Sequence, residues 1–316
     1  MAACRILLMI MIIAPAFSPV CQATDGHRIK KRADAVLTLM SYMVVPDITA
    51  SDLNIGTGNN EHNSLNITQF GGGATMGEDF PLYLEGAMGY SRYDPQFVVS
   101  EGSETRRIPT KWNSLTATGG VGWDFHLFSD KLGGKWVVRP IVNVMLGTMA
   151  SDARVGARVI ERRSDVEFDF LDGGRLNAYG LGGSLMLDYE LISAPQDIDI
   201  ELRYSSLQLK TFGSTSRSVE GEATTQNLGL YLRRRAPIAD WTLLKNPVRY
   251  VVEGAHTEYL GEQRGELGFN SLSSVGLGIE VDSSHYPVFI TRTRLVARYM
   301  FGSNTNGYGL GLAMSF

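Results

Sequence analysis

The sequence predicts an all-β protein: a transmembrane antiparallel β-barrel of about 12 strands, with a short N-terminal helix as a candidate occupant of its lumen. Three observations predict it. The chain closes on TNGYGLGLAMSF, in which Tyr308, Leu310, Leu312, Met314 and Phe316 alternate with Gly307, Gly309, Gly311, Ala313 and Ser315. That is the period-2 signal of a strand with one apolar and one small-residue face. The same alternation recurs through the chain with charges collected on the second face. Finally, long and short connections mostly alternate, as outer-membrane barrels require of their outward loops and periplasmic turns. A soluble sandwich would give the same alternation with inside and outside exchanged, and the face assignment decides between the two.

Energy settles that assignment at the level of the sequence. Arg or Lys on the lipid face costs about 2–4 kcal/mol near the midplane, so a strand face that collects charges must look into a lumen. On Asp197 to Leu207, Ile198, Ile200, Leu202 and Tyr204 oppose Asp197, Asp199, Glu201 and Arg203. Other strands repeat the pattern around Phe80–Tyr90, Leu115–Leu127, Trp136–Leu146, Tyr179–Glu190, Leu228–Arg235, Val248–Glu253, Val275–Asp282 and Phe289–Phe301. The predicted lumen-facing charges are Glu85, Asp124, Arg139, Asp188, Asp199, Glu201, Arg203, Arg233, Arg249, Glu253, Glu280, Arg292, Arg294 and Arg298. Both signs are mixed, which favours ion pairs that tie the interior over a charge-selective pore. Aromatics such as Trp123, Trp136, Tyr189, Tyr204 and Phe301 fall towards strand ends, where interfacial girdles sit.

The connections expected outside are Ser91–Lys111, Met149–Gly174, Lys210–Ala223, Gly261–Gly268 and Gly302–Asn304. Those expected in the periplasm are Gly77–Asp79, Phe128–Gly134, Leu191–Gln196, Ala236–Asn246 and Asp282–Tyr286. Only the last hairpin, with its short outward turn, departs from long above and short below. The loop 149–174 carries Arg154, Arg158, Arg162 and Arg163 among acids and reads as a charged, solvated surface segment.

Residues 1–23 read as a cleaved signal peptide: Arg5 precedes the apolar run Ile6–Phe17, and CQA places the cleavage after Ala23. Both cysteines, Cys4 and Cys21, lie in this leader, so no disulfide is expected in the exported chain. No later run approaches the roughly 20 apolar residues of a membrane-spanning helix. In residues 24–46, Ala33, Val36, Leu37, Met40, Met43 and Val44 recur at three- and four-residue steps, an amphipathic helix stopped before Pro46. Val36–Val44 also tolerates a strand reading, so the first strand begins at Val36 or near Ile48. The barrel then occupies 47–316. A formal net charge of −4 excludes a broadly basic, nucleic-acid-binding surface. Gly at 35, with Tyr and Phe at 13 each, favours twisted, aromatic-rich β structure.

A leader, a helix-like lead-in, about twelve strands and a terminal phenylalanine resemble the translocator barrel of autotransporters, in particular the solitary outer-membrane autotransporter-type barrel family. The resemblance implies that Tyr308, Leu310, Leu312, Met314 and Phe316 form a signal read by the barrel assembly machinery, delivered by periplasmic chaperones. It implies that the segment His27–Val44 runs through the pore, so its deletion is expected to raise single-channel conductance in planar bilayers. It does not extend to a passenger, since only Thr24–Gly26 separates the expected cleavage from the helix. The implied location is the outer membrane of a Gram-negative bacterium, the implied state a monomer in lipid, and the implied role pore-like, translocating or structural.

No catalysis, cofactor or metal is expected. His27, His62, His126, His256 and His285 are scattered, and no cysteine accompanies them. GGGAT at Gly71 and GLGGS at Gly180 lack the GK[ST] ending of a phosphate loop and read as close strand packing. Asn59-Asn60 is a remote candidate for the self-cleavage that some autotransporters perform. The alternative from another class is a phospholipase-like surface hydrolase using His256 in EGAHTEY, for which the sequence offers no serine motif.

Overall fold

The computed structural model describes residues 48–57, 61–94, 96–101, 104–109, 111–151, 175–213, 221–243, 245–265, 268–282 and 292–315. The leader, the segment His27–Val44, Asn59-Asn60, Phe316 and most of the loop 149–174 lie outside these residues.

The strands are β1 (Ile48–Thr57), β2 (Glu61–Thr75), β3 (Leu82–Asp94), β4 (Gln96–Glu101), β5 (Glu104–Pro109), β6 (Trp112–Trp123), β7 (Phe125–Ser129) and β8 (Lys135–Ser151). They continue as β9 (Arg175–Ile192), β10 (Asp197–Thr211), β11 (Glu222–Leu243), β12 (Asn246–Leu260), β13 (Ser271–Asp282), β14 (Arg292–Phe301) and β15 (Thr305–Ser315). Each stave is antiparallel to its neighbours in sequence, and β1 pairs with β15 from Ile48↔Leu312 to Ile55↔Thr305. The sheet therefore closes and has no edge. Strands β6 and β7 are two pieces of one stave, both laid against β8, so the closed barrel has twelve staves. The hairpin β4–β5 stands apart as a separate sheet in the connection from β3 to β6.

The apolar face is outside. Val142 is 68 % exposed, Leu277 67 % and Tyr308 71 %, and comparable side chains ring the barrel. Water would not tolerate so continuous an apolar band, whereas lipid requires it. Ion-paired side chains lie within. This excludes the sandwich, in which the two apolar faces would bury each other. Among the closing-strand residues, Tyr308, Leu310 and Met314 are exposed on the outer face and Leu312 is half-buried.

The first described strand begins at Ile48, and the alternative start at Val36 lies outside the described residues. One connection differs from expectation. Instead of ending before Ala236, β11 runs on to Leu243 and joins β12 through a tight turn with Lys245 at φ 67°. The ladder breaks between Pro237 and Thr242 because proline has no N–H to donate, and Ala239 sits there at φ 38°. Another short turn, between β7 and β8, is organised by Asp130. Its carboxylate accepts hydrogen bonds from the Tyr189 hydroxyl (2.8 Å) and the backbone N–H groups of Leu132 (2.8 Å) and Gly134 (2.9 Å). The Tyr189 bond, then the backbone bonds, hold that carboxyl below its usual range.

The glycine-rich runs belong to staves. GGGAT lies in β2 and GLGGS in β9, where a Cβ on Gly182 would stand 2.1 Å from the Ser206 carbonyl oxygen. Gly71, Gly73, Gly180 and Gly182 are packing sites, whereas Gly72 faces open space.

Candidate functional site

The lumen is the candidate site, and it has two layers. In the half towards the short turns, the strand period delivers charged side chains inward and closure brings them together. Glu85 of β3 accepts two bonds from Arg203 of β10, at 2.6 and 2.7 Å, with further bonds from Asn143 (2.7 Å) and Tyr83 (3.2 Å). Strands β3 and β10 are not ladder neighbours, so this bidentate pair spans the interior. Arg203 also donates to Ser184 (3.0 Å) and Ser205 (3.2 Å).

Beside it, Arg139 holds Asp124 through two nitrogens, reaches Asp188 at 3.1 Å, and lies 4.0 Å over the Tyr83 ring. Strand parity puts Asp124 on the same side as Gly122, and the break between β6 and β7 falls at it. A third group gathers on β10–β14. Arg233 meets Asp199 at 2.9 Å, Arg249 meets Asp197 at 2.6 Å, and Arg235 lies within 3.5 Å of Asp197, Asp199 and Glu280. Arg292 bridges Asp282 (3.5 Å) and Asp197 (3.7 Å), and Arg294 reaches Glu280 at 3.9 Å. Arg298 pairs with Glu253, which also accepts from the Tyr231 hydroxyl at 2.9 Å. Asp197 and Glu280 are each only 1 % exposed. Burial strengthens such pairs and makes any unpaired member costly.

Every predicted lumen charge thus has a partner except Glu201, which opposes Asp188 and Tyr231 in the ladders and has no ion-pair partner among the described residues. Asp197, Arg235 and Asp282 belong to the network but were not among the expected site residues. Asp197 and Asp282 sit at strand ends next to turns, Arg235 lies inside β11, and strand parity alone would have found all three.

The half of the lumen below the long connections is lined by apolar and uncharged polar side chains, Ser91, Ser114 and Thr116 among the latter. Leu65, Ile67, Met145, Leu176, Leu207, Leu209 and Met300, from staves all round the barrel, form one buried cluster. From the β12–β13 connection Phe269 turns into it, 1 % exposed and edge-on to Tyr259 at 5.8 Å between ring centres. That connection is tied down by Asn304, which donates to the Gly268 carbonyl (3.0 Å), and by Glu262, which accepts from the Thr224 backbone N–H (3.0 Å). The sequence reading expected small, polar and charged residues on the inner faces, and this cluster departs from it.

On the outer surface His256 has neighbours that the sequence did not show. Its Nδ1 is 2.8 Å from the Ser273 hydroxyl and its Nε2 is 3.2 Å from a Glu258 carboxylate oxygen. The serine comes from the next stave, in direct register with His256. No local motif could have revealed it.

The fold matches solved outer-membrane barrels. The transport unit of the autotransporter AIDA-I from Escherichia coli aligns with a TM-score of 0.50 at 12 % identity, over 91 % of this chain and 99 % of that one. The β domain of the Bordetella autotransporter BrkA gives 0.45 at 15 %, over 85 % and 97 %. The translocator domain of NalP from Neisseria meningitidis gives 0.41 at 14 %, over 85 % and 86 %. No family model and no curated protein matches the sequence.

Proposed function

We propose that this outer-membrane β-barrel, which has the twelve-strand architecture of an autotransporter translocator, is a translocator-like barrel held closed at its outer mouth by its own side chains. The observation that carries the reading is the layering of the lumen. A charged, ion-paired layer fills the half towards the short turns, and a buried apolar cluster lies in the half below the long connections. A hydrophobic constriction excludes ions by dewetting even where it is not sterically sealed. The ion pairs below it brace the staves against one another. The barrel works as a monomer in lipid, exported after removal of residues 1–23.

Planar-bilayer recording tests this. Wild-type protein is expected to conduct little, and the triple variant Leu65→Ser, Met145→Ser, Leu207→Ser to conduct several-fold more, because three inward hydroxyls wet the constriction. A triple variant with wild-type conductance, folded by its heat-modifiable gel mobility, would remove the mouth as the barrier.

Biogenesis offers a second test. Phe316 follows β15 in the sequence, and we assign it to recognition by the assembly machinery. Deleting Phe316 is expected to lower the heat-modifiable, membrane-inserted fraction in cells while leaving detergent refolding of the purified chain largely intact. Equal loss in both settings would make the residue structural rather than a signal.

A further inference from the structure

We propose that Ser273, His256 and Glu258 form an acyl-ester hydrolase site on the membrane-facing surface of the barrel. Its substrates are the ester-linked acyl chains of the surrounding lipid. The site is independent of what the lumen does.

The argument begins with register. β12 and β13 oppose His256 directly to Ser273, and Glu258, two residues further along β12, projects from the same face as His256. The ladder therefore fixes all three side chains on one patch without help from a loop. Next comes the tautomer. Glu258 accepts from Nε2 at 3.2 Å, which places the ring proton there and leaves the Nδ1 lone pair free to accept from the Ser273 hydroxyl at 2.8 Å. A nucleophile, a base within hydrogen-bond reach and an acid behind the base is the arrangement that activates serine. Here the two ring nitrogens exchange their more common duties. The acid–base logic is unchanged.

Position then selects the substrate. Leu230 lies opposite His256 and Leu228 opposite Glu258 on one side, and Phe301 lies opposite Ser273 on the other. All three are exposed on the outer face. The trio thus sits in the apolar surface, in the half towards the long connections, where acyl chains meet their head groups. The carbonyls presented at that depth are acyl esters, whether of glycerophospholipid or of a lipid A-type glycolipid.

In the reaction the Ser273 oxygen attacks the ester carbonyl carbon while its proton passes to His256 Nδ1. The resulting imidazolium is held by the Glu258 carboxylate. The carbon–oxygen bond to the alcohol breaks, the alcohol leaves with the proton from Nδ1, and an acyl-serine remains. Water attacks the acyl carbon, gives its proton to Nδ1, and Ser273 recovers it as the acid departs. The net change is ester plus water to carboxylic acid plus alcohol. Ser273 and His256 are catalytic residues and Glu258 is a positioning residue.

The test uses the full chain folded in detergent, with heat-modifiable mobility as the check on folding. Fatty-acid release is measured from mixed micelles of phosphatidylethanolamine and, separately, of lipopolysaccharide. Labelling of Ser273 by a fluorophosphonate probe is read by peptide mass spectrometry. Wild type is expected to release fatty acid from at least one lipid, and which one identifies the source. His256→Ala is expected to lower release by about 10²–10⁴-fold and to abolish labelling. Glu258→Gln is expected to lower release and shift its pH profile, with partial rescue in Glu258→Asp; an unchanged profile would remove Glu258 from the site. Release that persists in Ser273→Ala, or no release from either lipid together with no label on wild-type Ser273, would overturn the proposal. The labelling arm uses no variant, so misfolding of an alanine substitution cannot obscure the outcome.

Discussion

Glu85→Ala is expected to destabilise the barrel by about 3–5 kcal/mol, the usual cost of removing one member of a buried ion pair. Glu85 and Arg203 are nearly buried, with side chains 9 % and 13 % exposed. Without Glu85, Arg203 keeps only the hydroxyls of Ser184 and Ser205 within bonding distance, and Asn143 and Tyr83 lose an acceptor as well. The measurement is urea unfolding in detergent, followed by tryptophan fluorescence and heat-modifiable mobility. The double variant Glu85→Leu, Arg203→Met is expected to recover much of the loss, because an apolar pair of similar volume leaves no uncompensated charge. A single variant within about 0.5 kcal/mol of wild type, the range of ordinary surface changes, would show that the pair does not brace the staves.

Gly278→Val is expected to reduce folded yield severely, whereas Gly72→Val is expected to be neutral. A Cβ on Gly278 would lie 2.2 Å from the Leu295 carbonyl oxygen and 2.8 Å from the Val296 Cα. Those are backbone atoms of the neighbouring stave, and they move only if the β13–β14 ladder moves. Overpacking of this kind costs about 1–3 kcal/mol and occasionally more, and the backbone obstruction puts Gly278 at the upper end. Gly72 has nothing within 4 Å of such a Cβ, so the same side chain there meets open space. Gly311 falls between the two, since its nearest obstacle is the Arg298 guanidinium, a side chain rather than backbone but one held by Glu253. Refolding yield for the three valine variants should rank Gly72, Gly311, Gly278 from highest to lowest. Equal yields would show that the staves are not closely packed at these glycines.

Much of this was legible in the chain. Period-2 alternation fixed which residues share a face on β10, β12 and β13, and the cost of charge in lipid fixed which face looks inward. Loop-length alternation located nearly every stave, and it failed at Ala236–Asn246, where most of the expected connection is strand with a register break after Pro237. The inner faces were harder. Leu65, Ile67, Leu207 and Leu209 lie within alternating segments, and nothing local shows that apolar inward residues from opposite sides of the barrel will meet. Their meeting depends on closure.

The sequence by itself determined the class of the protein, its closing strand and the direction of nearly every charged side chain. Those are properties of single strands, and a strand's period is local. Only the tertiary structure decided that Arg203 spans to Glu85, that Arg235 joins three acids, that apolar side chains gather in one cluster below the long connections, and that Ser273 stands at His256. Each of these needs the register between staves and the closure of β1 on β15. Register and closure are set by the sum of many weak cross-strand pairs, which no short stretch of sequence contains.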